Sequence, residues 1–269
     1  AGGLTFTGTG TTIMSGANTY SGGTTVSSGT LSLAGASPTG TGDVFVASAG
    51  TLMGTGTIAG NGIVSGVLKP GNSPGYLSFT QNLTLNSGST YQQDIAGATQ
   101  ASSTTPVGAS GYYSFVNVGS QLTITSGATL TPRLSNLFSA NEVGYGSSIY
   151  IPVLGDKFRI ITAAGGITGR FTTLTQPAEL SSGTQLIAFY SVNNSNSLDL
   201  AIAPTSYSST LSSSTTNAKT VAGVLDQLLG LNKAGTASAA QDSLLYAVAG
   251  QNAASLPGFA QALSGEIHA

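Results

Sequence analysis

"VSSGTLSL" at residues 26–33 returns, as a phrase of small residues, glycine and apolar residues, in "ASAGTLMG" at 47–54, "VSGVLKP" at 64–70, "LNSGSTYQ" at 85–92 and "ITSGATLTP" at 124–132. The shared glycines are Gly29, Gly50, Gly66, Gly88 and Gly127, so the steps between them are 21, 16, 22 and 39 residues, the last close to two periods. A unit of about 20 residues that joins short β-type runs through Gly-rich corners is what a β-solenoid requires, because each unit buries its apolar face only against the units beside it. A single unit has too small a face to fold alone, whereas a unit laid on a formed edge pairs its backbone and buries its apolar side at once.

Alternation within the units supports strands. In "NLTLNSGSTYQQDI" (82–95) Leu83 and Leu85 fall at period two, as do Leu122 and Ile124 in "QLTITSG" (121–127). The intervening Thr, Asn and Ser suit an exposed sheet face and, stacked in register, form hydrogen-bonded ladders.

Composition agrees with an extended polar architecture. Only 6% of the 269 residues are charged, with 38 glycines and no cysteine. Neutral hydroxyls and amides must therefore cover the surface. A net charge of −2 gives no basic stripe, so nucleic acid is excluded as a partner. The lack of cysteine excludes disulfides and thiolate metal sites and suits a chain that crosses a membrane unfolded. No apolar run approaches the roughly 18 residues of a membrane helix. The start, "AGGLTFTGTG", lacks the features of a signal peptide and opens within the repeat pattern, so the chain reads as a piece of something longer.

From about Ser208 the texture changes. "SSTLSSSTTNAK" (208–219) reads as a linker. "NAKTVAGVLDQLLGLNK" (217–233) then places Val221, Val224, Leu225, Leu228 and Leu229 at helical spacing. "SAAQDSLLYAVAG" (238–250) spaces Ser238 and Gln241 as a capping box and sets Leu244, Leu245 and Val248 on one face. After Pro257, Phe259, Leu263 and Ile267 recur at every fourth position.

Several phrases resemble one protein family. "SGANTYSGGTTVSSGTLSL" (15–33) resembles the passenger-associated transport repeat of bacterial autotransporters, the type V secretion proteins. "GTLMGTGTIAGNGIVSGVLKPGNSPGYLSFTQNLTLNSGSTYQQDI" (50–95) is similar to the stem that usually comes after it. "YYSFVNVGSQLTITSGATLTPRL" (112–134) and "YIPVLGDKFRIITAAGGITGRFTTL" (150–174) resemble the C-terminal passenger module called the autochaperone, and "LSGEIHA" (263–269) resembles the phrase that precedes the outer-membrane barrel. The resemblance implies an all-β fold, a right-handed parallel β-helix with a short α-helical C-terminal region. Residues 1–106 are expected to be stem repeats, 107–206 an autochaperone-like cap, and 207–269 a linker and amphipathic helices leading to a β-barrel. The implied partners are that outer-membrane β-barrel and a host or neighbouring-cell surface. The implied location is the bacterial cell surface, or the medium after cleavage.

Motifs that could carry chemistry are few. Gly71-Asn72-Ser73-Pro74-Gly75, within "LKPGNSPG" (68–75), matches the G-x-S-x-G elbow of serine hydrolases. The next residues, "YLSFTQNLTL" (76–85), are strand-like rather than helical, and Pro74 removes an N–H that would serve an oxyanion hole. The sole histidine, His268, stands almost at the end of the chain. The phrase reads as a turn, with Gly71 and Gly75 supplying unusual dihedrals. Asp43 lacks the spacing of a calcium β-roll. "GTGTIAG" (54–60) lacks the βαβ context of a dinucleotide loop. Asp94, Asp156 and Asp199 are too dispersed in sequence to argue a carboxylate pair. Lys157, Arg159 and Arg170 are expected to be solvated charges on a terminal hairpin. No catalytic, cofactor-binding or metal residue is assigned, no cofactor is implied, and the chain is expected not to be an enzyme. The chain is therefore read as a structural module that templates β-helix folding during translocation. The alternative is a binding solenoid, an adhesin or an ice-binding surface, although no regular T-x-T register is visible beyond "TFTGTGTT".

Overall fold

The structure, a computed structural model, describes residues 2–265. Leu4–Phe6 (β1) and Thr11–Ala17 (β2) lie along Thr24–Ser37 (β3), which pairs in parallel with Val44–Ile58 (β4). Gly62–Val64 (β5), Val67–Pro70 (β6) and Tyr76–Phe79 (β7) each run parallel to a different part of β4. Leu83–Leu85 (β8) then lies on β5 and Thr90–Asp94 (β9) on β6. After the short pair Thr99–Gln100 (β10) and Tyr112–Tyr113 (β11), Phe115–Val118 (β12) lies on β7. Leu122–Ile124 (β13), Thr129–Arg133 (β14) and Lys157–Ala163 (β15) lie on β8, β9 and β12, and Ile167–Gly169 (β16) and Thr173–Leu174 (β17) on β13 and β14. Three ladders of parallel strands result, and the chain visits them in turn.

Register sets like upon like. Val26, Val46, Val64, Leu85 and Ile124 are successive partners in one ladder, and Leu31, Leu52, Leu68, Tyr91 and Leu130 in the next; all are buried. The pairs Leu83–Leu122 and Leu85–Ile124 fulfil the period-two reading. The glycine phrase marks the same corner in each layer. Gly29 pairs with Gly50, and a Cβ on Gly66 would come within 2.1 Å of the Gly50 carbonyl oxygen, so layer spacing itself demands glycine there.

The 39-residue step from Gly88 to Gly127 is a single layer, not two. The Gly88 N–H donates to the Gly127 carbonyl at 3.1 Å, and Thr90 pairs with Thr129. The extra length is spent in an excursion between β9 and β12, where "SSTTPVGASG" (102–111) leaves the ladders. A second excursion, between β14 and β15, meets the first where the Gly144 N–H donates to Gly108.

Polar ladders run down the stack. Asn61 Nδ2 donates to Asp43 Oδ1 at 3.0 Å, Asn82 Nδ2 to Asn61 Oδ1 at 3.0 Å, the Gln121 N–H to Asn82 Oδ1 at 3.1 Å, and Gln121 Nε2 to Thr168 Oγ1 at 2.9 Å. A threonine column also exists: Thr11, Thr30, Thr51, Thr90, Thr129 and Thr173 share one ladder position, interrupted by Val67. It is one residue wide, because the position two along holds Ile13, Ser32, Met53, Lys69, Gln92 and Thr131.

The parallel order then ends. Thr184–Tyr190 (β18) and Ser197–Pro204 (β19) form an antiparallel hairpin, and β19 lies antiparallel on β15. Every residue of β19 is buried, since Leu198, Leu200 and Ile202 join the core of the ladders while Ala201 and Ala203 join a second core. The second core is completed by Tyr207–Thr210 (α1), Thr216–Ala234 (α2), Ala239–Val248 (α3) and Leu256–Leu263 (α4). Residues 208–219, read as a linker, carry α1 and the start of α2, with Tyr207 and Leu211 buried. Asp226 of α2 holds this segment, accepting from the N–H groups of Tyr207 at 2.6 Å and Ser208 at 3.1 Å and from Ser206 Oγ at 3.1 Å.

Leu225, Leu228 and Leu229 face the core as the spacing predicts, but Val224 is exposed. The Ser238–Gln241 capping box is formed in both directions. On α4 the buried residues are Leu256 and Ala260 rather than Phe259 and Leu263, and Ile267 lies outside the described residues.

Candidate functional site

The "LKPGNSPG" corner joins β6 to β7 and turns into the core. Gly71 has φ of 82°, Ser73 has φ of 53°, and the Ser73–Pro74 peptide is cis. Gly75, expected to share the unusual dihedrals, does not; it is glycine because a Cβ there would come within 2.6 Å of Gly71 Cα. Ser114, immediately before β12, holds the corner. Its Oγ donates to the Pro70 carbonyl at 2.9 Å and accepts from the Gly75 N–H at 3.3 Å.

Behind the corner lies Asp94, the last residue of β9 and fully buried. Lys69 Nζ stands 3.8 Å from one of its oxygens and Arg133 Nε 3.6 Å from the other. Burial pushes the Asp94 carboxyl above the usual carboxylate range; Lys69, Arg133 and the Ser73 hydroxyl work against that, and Glu142 adds to it. Among the described residues neither oxygen has a hydrogen-bond partner of ordinary geometry, and the nearest opposite charges are those of Lys69 and Arg133. Gln93 bridges around it, receiving the Tyr91 hydroxyl at 3.2 Å and donating to the Ser114 carbonyl at 2.7 Å. Repeat register contained the signal for this cluster, because it sets Arg133 directly opposite Asp94.

The arrangement sets a buried carboxyl between two cations. Ser73 is 2% exposed, which closes its hydroxyl to any substrate in this conformation, and His268 lies outside the described residues. The other singled-out positions have separate partners. Asp43 ends the asparagine ladder. Gly54 and Gly56 of "GTGTIAG" sit within β4, where a Cβ on either would strike a carbonyl of the layer before. Asp156 accepts from the Tyr150 hydroxyl at 2.8 Å and the Val153 N–H at 2.9 Å. Asp199 receives Arg159 Nε at 3.1 Å and the Tyr246 hydroxyl at 2.7 Å. Among the described residues no group of three or more His, Cys, Asp or Glu side chains is placed to hold a metal ion.

The three basic residues of 157–170 are not simply solvated, nor do they lie on a hairpin. They belong to β15 and the segment after β16, and each reaches the hairpin or the helices. Lys157 Nζ donates to the Tyr246 carbonyl at 2.5 Å and lies 3.7 Å from the Tyr246 ring centroid. Arg159 binds Asp199. Arg170 donates to the Asn232 carbonyl at 3.3 Å and covers the Tyr190 ring.

Residues 4–33, which form β1, β2 and most of β3, match the family described as passenger-associated-transport-repeat. The chain is also 32% identical over 171 residues to the extracellular serine protease of Serratia marcescens. The chain resembles an autotransporter passenger. The aligned region is 63% of this chain and 14% of the Serratia protein, so the chain spans a small part of that relative's length. This relative corrects one expectation. The chain was expected not to be an enzyme, and the protein it resembles over most of its length is named for proteolysis. The relative is extracellular, and among the described residues no helix is long and apolar enough to cross a membrane.

Proposed function

We propose that this chain is a stem segment of an autotransporter passenger, wound as a right-handed parallel β-helix, which templates the folding of its own N-terminal layers during outer-membrane translocation and displays what precedes it at the bacterial surface. Residues 1–106 act as the stem repeats, 107–206 as the template, and 207–269 as the connection toward an outer-membrane barrel. The carrying observation is that the parallel ladders end in an antiparallel hairpin sealed by helices. A parallel edge accepts the next layer without a nucleation cost, because backbone and apolar face are engaged together. With β15 covered by β19, a complete further layer has no continuous edge at the hairpin end, so whole layers add toward the N-terminus. Stacking then favours outward movement without nucleotide hydrolysis. This role is compatible with proteolysis by a longer protein that contains such a segment.

The test compares the intact chain with one lacking residues 150–174, both for refolding from denaturant and for appearance at the cell surface when joined to a barrel. Loss of both is expected. Refolding and export at the intact chain's rates would contradict the template role.

A further inference from the structure

Among the described residues β17 pairs with β14 alone and β18 with β19 alone, so two strand edges without a neighbouring strand face each other. Between them lies a cavity of about 420 Å³, bounded by residues 172–174 on one side and 185–188 on the other. In this gap the side-chain amide of Gln176 does what a neighbouring strand does. Its Oε1 accepts from the Leu186 N–H at 2.8 Å, and its Nε2 donates to the Leu186 carbonyl at 3.0 Å. One step along the same edge, Asn232 Nδ2 donates to the Ala188 carbonyl at 3.2 Å.

The rim of the gap is cationic. Arg170 lies over the Tyr190 ring at 4.6 Å and donates to the Asn232 carbonyl; Lys233 is exposed beside it. Among the described residues no carboxylate lines the cavity. Two of the seven basic residues in a sparsely charged chain thus meet at one slot of mixed polar and apolar lining. We propose that this slot binds an extended peptide bearing an acidic side chain, which adds as a strand to the open edge of β18 in place of the Gln176 amide and sets its carboxylate against Arg170 and Lys233. Strand addition draws affinity from main-chain pairing and selectivity from side-chain pockets, and the cations supply charge-assisted contacts. An acidic saccharide would meet the same cations and its hydroxyls can donate and accept, but only a peptide backbone repeats its donors and acceptors at the strand spacing that separates Leu186 from Ala188, which favours a peptide. The inference goes beyond the stem reading and does not depend on it.

The probe is the peptide acetyl-Thr-Val-Glu-Val-Thr-amide, titrated calorimetrically into the full chain. Saturable binding is expected, weaker by about fivefold when Gln replaces the peptide's Glu and by a similar factor in Lys233→Gln, an exposed position. Gln176→Ala, which opens the edge, is expected to tighten binding severalfold; its thermal melt confirms folding. Absence of binding to both the parent and Gln176→Ala overturns the proposal. So does equal affinity for the Glu and Gln peptides. Binding of a galacturonate oligomer that displaces the peptide and is unmoved by Gln176→Ala overturns the strand-addition part.

Discussion

Arg159 Nε lies 3.1 Å from Asp199 Oδ1, tying β15, the last strand of its parallel ladder, to the antiparallel strand that ends it. Asp199 is almost completely buried and also receives the Tyr246 hydroxyl of α3, so one carboxylate joins ladders, hairpin and helices. Asp199→Ala is expected to destabilise the chain by about 2–3 kcal/mol, since charge-assisted bonds to a buried acceptor are lost. Tyr246→Phe should cost about 1 kcal/mol. Urea unfolding monitored by circular dichroism reads both; an unchanged midpoint in Asp199→Ala would remove this contact from the account of the cap.

Asp94 gives a pH dependence of definite sign. Burial first, and Glu142 last, raise its carboxyl, outweighing Lys69, Arg133 and Ser73. A raised folded-state value means that the group's contribution to stability is fully present below the unfolded value of about 3.9 and is lost as pH rises through the folded value. Asp94→Asn is therefore expected to match or exceed the parent at pH 7, by up to about 2 kcal/mol, with Lys69 and Arg133 still able to reach water. The gain should vanish near pH 3.5, where the parent's carboxyl is protonated. A large loss in Asp94→Asn at pH 7 would show that the two cations outweigh burial.

The asparagine ladder should behave as a coupled unit. Asn61 bonds to Asp43 below and Asn82 above, and Asn82 passes the contact to Gln121. Asn61→Ala and Asn82→Ala should each cost about 1–2 kcal/mol. The double variant should lose less than the sum, with a coupling of at least about 0.5 kcal/mol. Additive losses would mean the two side chains act independently.

At the corner, conformation outweighs chemistry. Gly71→Val meets both a φ of 82° and the Gly75 nitrogen 2.2 Å from its new Cβ, and should cost about 3 kcal/mol or more. Ser73→Ala keeps the backbone and removes only a hydroxyl beside Asp94, so about 1 kcal/mol is expected. Thermal melts of the two variants give the order directly, and a Ser73→Ala loss equal to that of Gly71→Val would restore a special role to the hydroxyl.

Legibility in the sequence tracked burial on one face. Leu83 and Leu85, or Leu122 and Ile124, alternate with residues that reach the surface, so period two survives and register could be read. β19 shows no such alternation. It divides two cores, with Leu198, Leu200 and Ile202 on one side and Asp199, Ala201 and Ala203 on the other, all buried, so burial shows no alternation and the residues name a strand without naming its antiparallel partners. The step to Gly127 misled for a different reason: an excursion and a second layer add the same length to a chain. The ties made by Arg159 and Arg170 bridge 40 and 62 positions, and no local pattern encodes such distances. The Asp94 cluster needed the register first, after which Arg133 falls opposite it.

The central claim is directional: layers near the hairpin fold first and the others stack on them toward the N-terminus. Pulsed hydrogen exchange during refolding measures this directly. Amides of β12 to β19 should be protected first, those of β8 and β9 next, and those of β3 and β4 last. Protection that begins in β3 and β4, or that arises everywhere at one rate, would contradict it.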